Sequence, residues 1–485
     1  MATQLTPRGS RSRWPATLTR ERARPEGIRS RPNAWWLAVG TVCFGAFMGQ
    51  LDASVVTLTY GSLRTEFDTS LAAVEWVSLA YLLTLVALLV PAGRLADAHG
   101  RKLLYLYGFA VFTLASAVCG LAPSLPALVV FRVGQAAGAA LMQANSVALV
   151  TTSAPRERMR TALGVQAAAQ ALGLALGPTV GGALVSTLGW RWVFGVNVPI
   201  GLVALVAGHY LLPRTRTRTP VAAFDWAGLG LLAVATTGAL LGVSAASGLP
   251  VPGWGVGLLF AVAAGAGWAF VARQGRSTAP LLDLALLRVR AVAFGLVGAL
   301  SGYLVLFGPL VLVPVVLTAR GSSELTAGLV LTALPAGFAL AATGGDRLLP
   351  HSLTDRGRCV LGARVFTVAV AAFVAVPPAV SWLVPVLVLT GVGLGTFTPA
   401  NNTLIMGAIP ERASGTGGGL VNMARGLGTA LGVALVTLAL HLADSRGPSA
   451  GARWSALILV GASVVAVVSA WLGPRRAEDG PVRTR

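Results

Sequence analysis

Runs of about 20 apolar residues recur along the whole chain, and they restrict the folds open to it more than any other feature. Each run is long enough to cross a bilayer as a helix. In hydrocarbon, backbone polar groups must be paired within the segment, which a helix achieves. The strict alternation of a membrane β-strand is absent. The sequence therefore predicts an all-α integral membrane protein.

The composition supports this class and argues against a soluble enzyme. Of 485 residues, 55% are hydrophobic and only 11% are charged. No P-loop motif is present, so ATP is not predicted to drive the protein. We predict fourteen spans near residues 34–57, 73–92, 103–121, 125–151, 159–187, 192–212, 224–245, 253–273, 291–318, 325–345, 359–377, 380–408, 415–442 and 453–473.

The net charge of +20 could suggest nucleic-acid binding, but its distribution does not. Eight arginines precede the first span, and most others lie in alternate loops. This is the positive-inside asymmetry, which predicts a multi-pass plasma-membrane protein with both termini cytoplasmic. The basic tail is interpreted as a topology determinant that contacts anionic lipid. The basic residues of those loops are Arg94, Arg101, Lys102, Arg156, Arg158, Arg160, Arg214, Arg216, Arg218, Arg273, Arg276, Arg288, Arg290, Arg347, Arg356, Arg358, Arg364 and Arg412.

An internal repeat indicates two similar halves. Gln-Ala-Asn145-Ser matches Pro-Ala-Asn401-Asn, 256 positions later, and neighbouring matches keep the same order. Spans 1–6 then correspond to spans 9–14, and spans 7 and 8 are an insertion. The predicted organisation is a basic tail (1–33), a six-helix half (34–213), the insertion with its flanking loops (214–290), a second six-helix half (291–473) and a C-terminal tail (474–485).

The segment between spans 2 and 3 contains Gly93-Arg-Leu-Ala-Asp97-Ala-His-Gly100-Arg101-Lys. It resembles the hallmark loop of the major facilitator superfamily, whose plan is two parallel six-helix halves around a midplane site. Gly100 permits a tight turn, and Asp97 can accept hydrogen bonds from a helix N-terminus or an arginine of the other half. We interpret Gly93, Asp97, Gly100 and Arg101 as a conformational latch. A copy at Asp355 is one residue shorter.

Span 5 contains an unusual concentration of glycine around a proline. Glycines one turn apart allow a neighbouring helix to approach to backbone contact, and the proline bends the helix. The pattern resembles the antiporter signature of exporters in this superfamily. Its residues are Gly173, Gly177, Pro178, Gly181 and Gly182.

The string Trp190-Arg-Trp-Val-Phe-Gly-Val-Asn197-Val-Pro-Ile-Gly201 opens span 6. It resembles a run found in fourteen-helix drug:proton antiporters, and we interpret it as structural. The resemblance covers nearly the whole chain after residue 34.

Asp52 and Arg132 are charged residues inside apolar spans. Burying an ionised carboxylate is costly, so Asp52 in span 1 can take up and release a proton as its site opens to each side. The alternative is a water-facing structural aspartate near the outer end. Arg132 in span 4 keeps its proton, so its predicted role in coupling is electrostatic. The alternative is a helix-end arginine that reaches lipid headgroups.

Amides in apolar helices need partners and therefore face the bundle interior. Some of these amides are expected to join helices, and others to hydrogen-bond a drug-sized ligand. The sequence does not separate the two groups. Arg425 in span 13 is a further arginine within an apolar run, and it aligns with Gln170 in the repeat. The predicted substrate-cavity residues are Gln135, Gln143, Asn145, Gln166, Gln170, Asn401, Asn402, Asn422 and Arg425.

Cys43, Cys119 and Cys359 are scattered among the spans, so neither a disulfide nor a metal site is predicted, and no cofactor is expected. The resemblance implies proton-coupled efflux of small amphipathic organic molecules, such as a drug or an antibiotic, by a monomer in the lipid bilayer. The expected partners are substrate and protons, without nucleic acid. A proton-coupled importer or uniporter, and a transporter-like sensor without flux, are the alternatives.

Overall fold

The computed structural model describes residues 21–31, 33–215, 224–246, 251–277, 280–322, 324–350, 352–375, 379–442 and 448–473. Nearly all of these residues are helical. Both predicted end segments lie largely outside this range, as does most of the loop before span 7.

Within the described residues, thirteen helices are long and apolar enough to cross a membrane. A fourteenth span consists of two segments, Arg156–Gly177 and Thr179–Thr187, which meet at 41°. The spans, numbered as in the sequence, are Ala34–Val55, Leu71–His99, Arg101–Gly120, Leu125–Ser153, Met159–Thr187, Arg191–Gly195 with Asn197–Leu211, Trp226–Ala246, Gly253–Gln274, Arg290–Thr318, Glu324–Leu331 with Ala333–Leu348, Asp355–Ala375, Val380–Ala408, Ser414–Leu442 and Pro448–Leu472.

Span 2 ends later than the apolar run predicts. Helix continues through Gly93 and Asp97 to His99, and span 3 begins at Arg101. The segment is thus a sharp corner between two helices, in which Gly100 alone is not helical, with φ of 119°. A side chain is strained at this φ, which explains a glycine here. Asp97 and Arg101 form an ion pair across this corner.

The helix contacts repeat between the halves. Spans 1 and 5 pack together as do spans 9 and 13, and spans 3 and 4 pack as do spans 11 and 12. Each half has its own aromatic core, with Phe109 and Phe112 in the first, and Phe366 and Phe397 in the second. This pattern is the one that two repeated six-helix halves produce.

The inserted spans 7 and 8 form a helical hairpin at the side of the molecule. Span 7 packs on span 2 of the first half and span 13 of the second. Asp225 joins the hairpin at its base, because it accepts hydrogen bonds from the Gly228 amide, Arg273 Nε and Gln274 Nε2. Burial raises the pKa of Asp225, but these donors outweigh burial and hold the pKa below its ordinary value.

Candidate functional site

Asp52 lies within the first half, where three side chains donate hydrogen bonds to its carboxylate. Arg132 Nη1 lies 2.8 Å from Oδ2, while Gln135 Nε2 and Asn197 Nδ2 lie 3.0 and 2.8 Å from Oδ1. Asp52 is 2% exposed. The structure therefore excludes a water-facing aspartate in this conformation, because the carboxylate is sealed from both sides of the membrane.

Arg132 is held as firmly as the carboxylate it contacts. Its Nε donates to the Val77 carbonyl at 3.1 Å, and Nη1 also donates to Gln135 Oε1 at 2.5 Å. The guanidinium stacks over the Tyr81 ring, 4.0 Å from its centroid. With 1% of the residue exposed, the alternative of a headgroup contact does not apply to this conformation.

Asn197 is a member of this cluster that the sequence analysis interprets only as part of a structural string. It lies at the start of the second helix of span 6. The string orients that span, since Trp190 Nε1 and Arg191 Nη1 both donate to Glu66 at the far end of the bundle. The bond from Trp190 and then that from Arg191 lower the pKa of Glu66. An amide inside an apolar span was the available signal for Asn197.

Four of these residues, Asp52, Arg132, Gln135 and Asn197, are called the coupling cluster below. They come from spans 1, 4 and 6, and Ser116 of span 3 extends the network by accepting from Gln135 at 2.7 Å. The cluster is therefore inside the first half and away from the contact between halves. Gln135, predicted for the substrate cavity, is a member of this cluster.

The predicted latch residues lie at the contact between halves. Both oxygens of Asp97 accept backbone hydrogen bonds of 2.8 Å, from the amides of Gly415 and Thr416 at the start of span 13. Arg101 donates to Asp97 at 3.1 Å and to the Glu411 carbonyl. Asp97 is fully buried. Because it accepts from the first amides of span 13, it places a negative charge at the positive end of that helix's dipole.

Gly93 allows this close contact. A Cβ on Gly93 would lie 2.2 Å from the Gly415 carbonyl oxygen, so no side chain fits without separating the helices. Residues 93–101 and 411–416 are called the latch below.

The shorter copy of this segment, in the second half, makes the related contact with the first half. Asp355 at the start of span 11 accepts from Arg160 Nε of span 5 at 2.6 Å. Arg160 and Gly415 are 255 positions apart, so the repeat places them at equivalent points. The two contacts differ in burial, since the Arg160 and Asp355 side chains are 32% and 21% exposed.

Glycines of the antiporter motif pack span 5 on span 1 within the first half. A Cβ on Gly173 would lie 2.4 Å from the Phe47 carbonyl oxygen, and one on Gly177 would lie 1.8 Å from Ser54 Oγ. Gly181 is also close to span 1, with 2.9 Å to a Leu58 methyl carbon. Gly182 differs, because nothing lies within 4 Å of its Cβ position. The side chain of Pro178 lies outside the described part of the chain.

Three of the remaining predicted cavity residues form hydrogen bonds within their own half. Asn145 and Gln166 bond within the first half, to the Leu141 carbonyl and Ser146, while Asn401 donates within the second half to the Gly295 carbonyl.

A further group spans the halves near their centre. Asn422 of span 13 donates to the Gln143 carbonyl at 2.8 Å. Gln170 of span 5 accepts from Tyr303 at 3.1 Å and from Arg425 at 3.5 Å. Gln170 and Arg425, aligned in the repeat, thus meet at the contact between halves. Asn402 is buried but makes none of these bonds.

Among the described residues, no group of three or more histidine, cysteine, aspartate or glutamate side chains could hold a metal ion. The three cysteines are free and buried, at separate places in the bundle.

Two repeated six-helix halves, a contact between them and a sealed charge cluster define a polytopic membrane transporter. The Major Facilitator Superfamily domain matches residues 42–433, and the chain belongs to this family. Its members are transporters of small molecules in a membrane, not enzymes. The predicted fold class is confirmed.

Relatives confirm the resemblance to exporters of this superfamily. The Tetracenomycin C resistance and export protein of Streptomyces glaucescens is 31% identical over 93% of this chain and 85% of its own. The Methylenomycin A resistance protein of Streptomyces coelicolor is also 31% identical, over 92% of this chain and 93% of its own. The crystal structure of the human organic anion transporter MFSD10 shares the fold, with a TM-score of 0.65 at 18% identity, covering 91% of this chain and 100% of that one.

Proposed function

We propose that the protein exports small amphipathic organic molecules, a drug or an antibiotic, in exchange for protons. The coupling cluster carries the proposal, because Asp52 is a titratable group buried in a transporter whose relatives are named for resistance and export. An importer would need the opposite direction of coupling, and neither of these relatives' names supports it.

Exchange of a proton at Asp52 requires the coupling cluster to open. In the described conformation Arg132 balances the ionised carboxylate. Breaking a buried ion pair by removing one charge typically costs about 3–5 kcal/mol, so protonation of Asp52 must be linked to a rearrangement that gives Arg132 other partners. That requirement links proton uptake to movement of spans 1 and 4.

Alternating access follows from the latch. The bonds of Asp97 and the Arg160–Asp355 pair close one end of the bundle. In the proposed orientation that end is cytoplasmic, so the described conformation is closed to the cytoplasm. The positive charge of the alternate loops supports this orientation, and reporter fusions after residue 290 should read cytoplasmic. An external reading there would contradict it.

The available energy is sufficient for export. A membrane potential of ~100 mV supplies ~2.3 kcal/mol per charge, which supports on the order of a 50-fold substrate gradient per proton. The glycine contacts of spans 5 and 13 keep the two halves rigid, so the energy is directed to their relative movement.

We also propose that a monomer is the functional unit, because each half-to-half contact lies within one chain.

The test is transport into everted membrane vesicles. Wild-type vesicles energised with respiratory substrate should accumulate at least one compound of an antibiotic and dye panel, and a protonophore should abolish accumulation. Asp52→Asn should abolish uphill accumulation, because an amide cannot titrate, while downhill exchange persists. Undiminished uphill accumulation in Asp52→Asn would exclude Asp52 as the proton carrier, and accumulation that a protonophore leaves unchanged would exclude proton coupling.

A further inference from the structure

Arg425 is a buried cation without a carboxylate partner. It is 4% exposed, and it forms no ion pair with the described residues. The helices whose side chains contact its guanidinium or share its cavity, 159–187, 290–318, 380–408 and 414–442, contain neither aspartate nor glutamate. A charge buried in a membrane protein without compensation is costly and is usually retained for function.

Neutral groups hold one edge of the Arg425 guanidinium. Nη1 lies 3.5 Å from Gln170 Oε1 and 3.3 Å from Asn422 Oδ1. The Asn422 amide nitrogen donates to backbone carbonyls, which turns Oδ1 towards Arg425. The guanidinium carbon lies 5.2 Å from the centroid of the Tyr303 ring. These contacts fix the plane of the guanidinium without neutralising its charge.

The other edge of the guanidinium is free. Nε and Nη2 of Arg425 are buried and have no hydrogen-bond partner. These two nitrogens point to the same side and form the fork that binds the two oxygens of a carboxylate. The free edge thus has the geometry of an anion site and the charge to match.

A second unpartnered side chain shares a cavity with Arg425. Asn402 is 1% exposed, and both its Oδ1 and its Nδ2 lack partners. Asn402 and Arg425 line one narrow cavity together with Tyr303 and Phe397, and it leaves no room for a water molecule. The cavity is too narrow to admit a ligand in this conformation. Because Gln170 of the first half contacts Arg425 of the second, movement of the halves would uncover the guanidinium.

Resting on the proposed function, we propose that Arg425 and Asn402 form the substrate site, and that the exported molecules carry a carboxylate or a similar planar anionic group. The fork of Arg425 binds the two oxygens, and Asn402 provides a neutral donor and acceptor. Tyr303 and Phe397 contact the aromatic or apolar body. The carboxylate supplies the negative charge that these helices lack.

The test measures binding to purified full-length protein in lipid nanodiscs, by tryptophan fluorescence and calorimetry. The probes are acid and amide pairs that differ only in charge: benzoate with benzamide, 1-naphthaleneacetate with its amide, and anthracene-9-carboxylate with its amide. We expect wild type to bind at least one acid about tenfold or more tightly than its amide, the factor that one charge-assisted hydrogen bond provides. Equal affinities throughout the panel would overturn the proposal.

Arg425→Gln should remove the preference for the acid and leave amide affinity unchanged. Arg425→Lys, which keeps the charge but not the fork, should retain part of the preference. Arg320→Gln, at an exposed arginine, is the matched control and should retain all of it. An acid preference that persists in Arg425→Gln would overturn the assignment.

Folding and transport are measured separately from this preference. Arg425→Gln removes an uncompensated charge, so its thermal midpoint should equal or exceed that of wild type. A lowered midpoint would indicate that Arg425 has a structural role and would count against the proposal. Binding requires no proton gradient, so failure of energised export would contradict the proposed function while leaving the anion site standing.

Discussion

At the scale of single residues, the coupling cluster shows how a charge is stabilised inside a membrane. Asp52 accepts from one cation and two amides, so both of its oxygens are satisfied. A buried ion pair is stable only with such additional hydrogen bonds. The two neutral amides therefore matter to the proposed proton exchange, because they stabilise the ionised form of Asp52 for as long as they contact it.

Asn197→Ala should move the pH dependence of uphill transport towards higher pH. Without one donor, the ionised carboxylate of Asp52 loses part of its stabilisation. Arg132→Ala should cause a larger shift in the same direction, because a full charge is lost. Initial rates in everted vesicles across a range of pH measure both effects. Ser116→Ala, which removes a contact of Gln135 and not of Asp52, is the control and should shift the profile least. A profile in Asn197→Ala that matches wild type would contradict the role of this amide.

The sequence identified Asp52 and Arg132 because charges inside apolar runs stand out one at a time. Their contact, and the inclusion of Asn197, could not be predicted, because both depend on how spans 1, 4 and 6 rotate around each other. The position of Gln135 beside Asp52 and away from the second half has the same cause. Helical periodicity limits which residues share a face, but not which neighbour that face meets.

At the scale of elements, glycine determines which helices touch. Gly173 and Gly177 fix span 5 on span 1, and their repeat partners Gly428 and Gly432 fix span 13 on span 9. A contact of this kind could be predicted from spacing, since small residues one turn apart form one groove. The identity of the facing helix required the structure.

Gly177→Ala and Gly182→Ala form a matched pair. Each exchanges glycine for alanine inside the same helix and gains about 1 kcal/mol of helix propensity. At Gly177 the new methyl group would meet Ser54, which should cost about 1–3 kcal/mol through overpacking. At Gly182 no atom lies within 4 Å of the added methyl group. We therefore expect Gly177→Ala to lower the thermal midpoint and transport rate, and Gly182→Ala to raise the midpoint. Equal midpoints in the two variants would show that close packing is not the role of Gly177.

At the scale of the whole molecule, two contacts of unequal strength close the same end. Asp97 is sealed against the start of span 13, whereas the Arg160–Asp355 pair is partly exposed. An exposed ion pair typically contributes about 0–1 kcal/mol, but a buried hydrogen bond to a charged group contributes about 1.5–3 kcal/mol. The repeat indicated a shorter copy of the motif at Asp355, but the inequality of the two contacts follows from burial that the motif does not encode.

Asp97→Asn should open the latch end far more often than Asp355→Asn. Loss of the charge at Asp97 should shift the equilibrium between conformations about 10-fold or more, against about 5-fold or less at Asp355. Spin labels at Arg158 and Arg412, which are exposed on opposite halves, report the distance across this end. Equal shifts in the two variants would contradict the assignment of Asp97 as the stronger contact.

At several glycines, the backbone of span 13 packs directly against helices of both halves. Cβ atoms on Gly418 and Gly419 would lie 2.4 and 2.5 Å from carbonyl oxygens of spans 4 and 2, and one on Gly428 would lie 2.1 Å from a carbonyl of span 9. Every other residue is larger than glycine, so we expect no substitution at these positions without separation of the helices. Arg425 lies seven residues after Gly418, two helical turns along the same face of span 13, where the two halves meet. Related exporters with other preferred cargo should accordingly retain these glycines and differ in the side chains of the neighbouring helices that face Arg425.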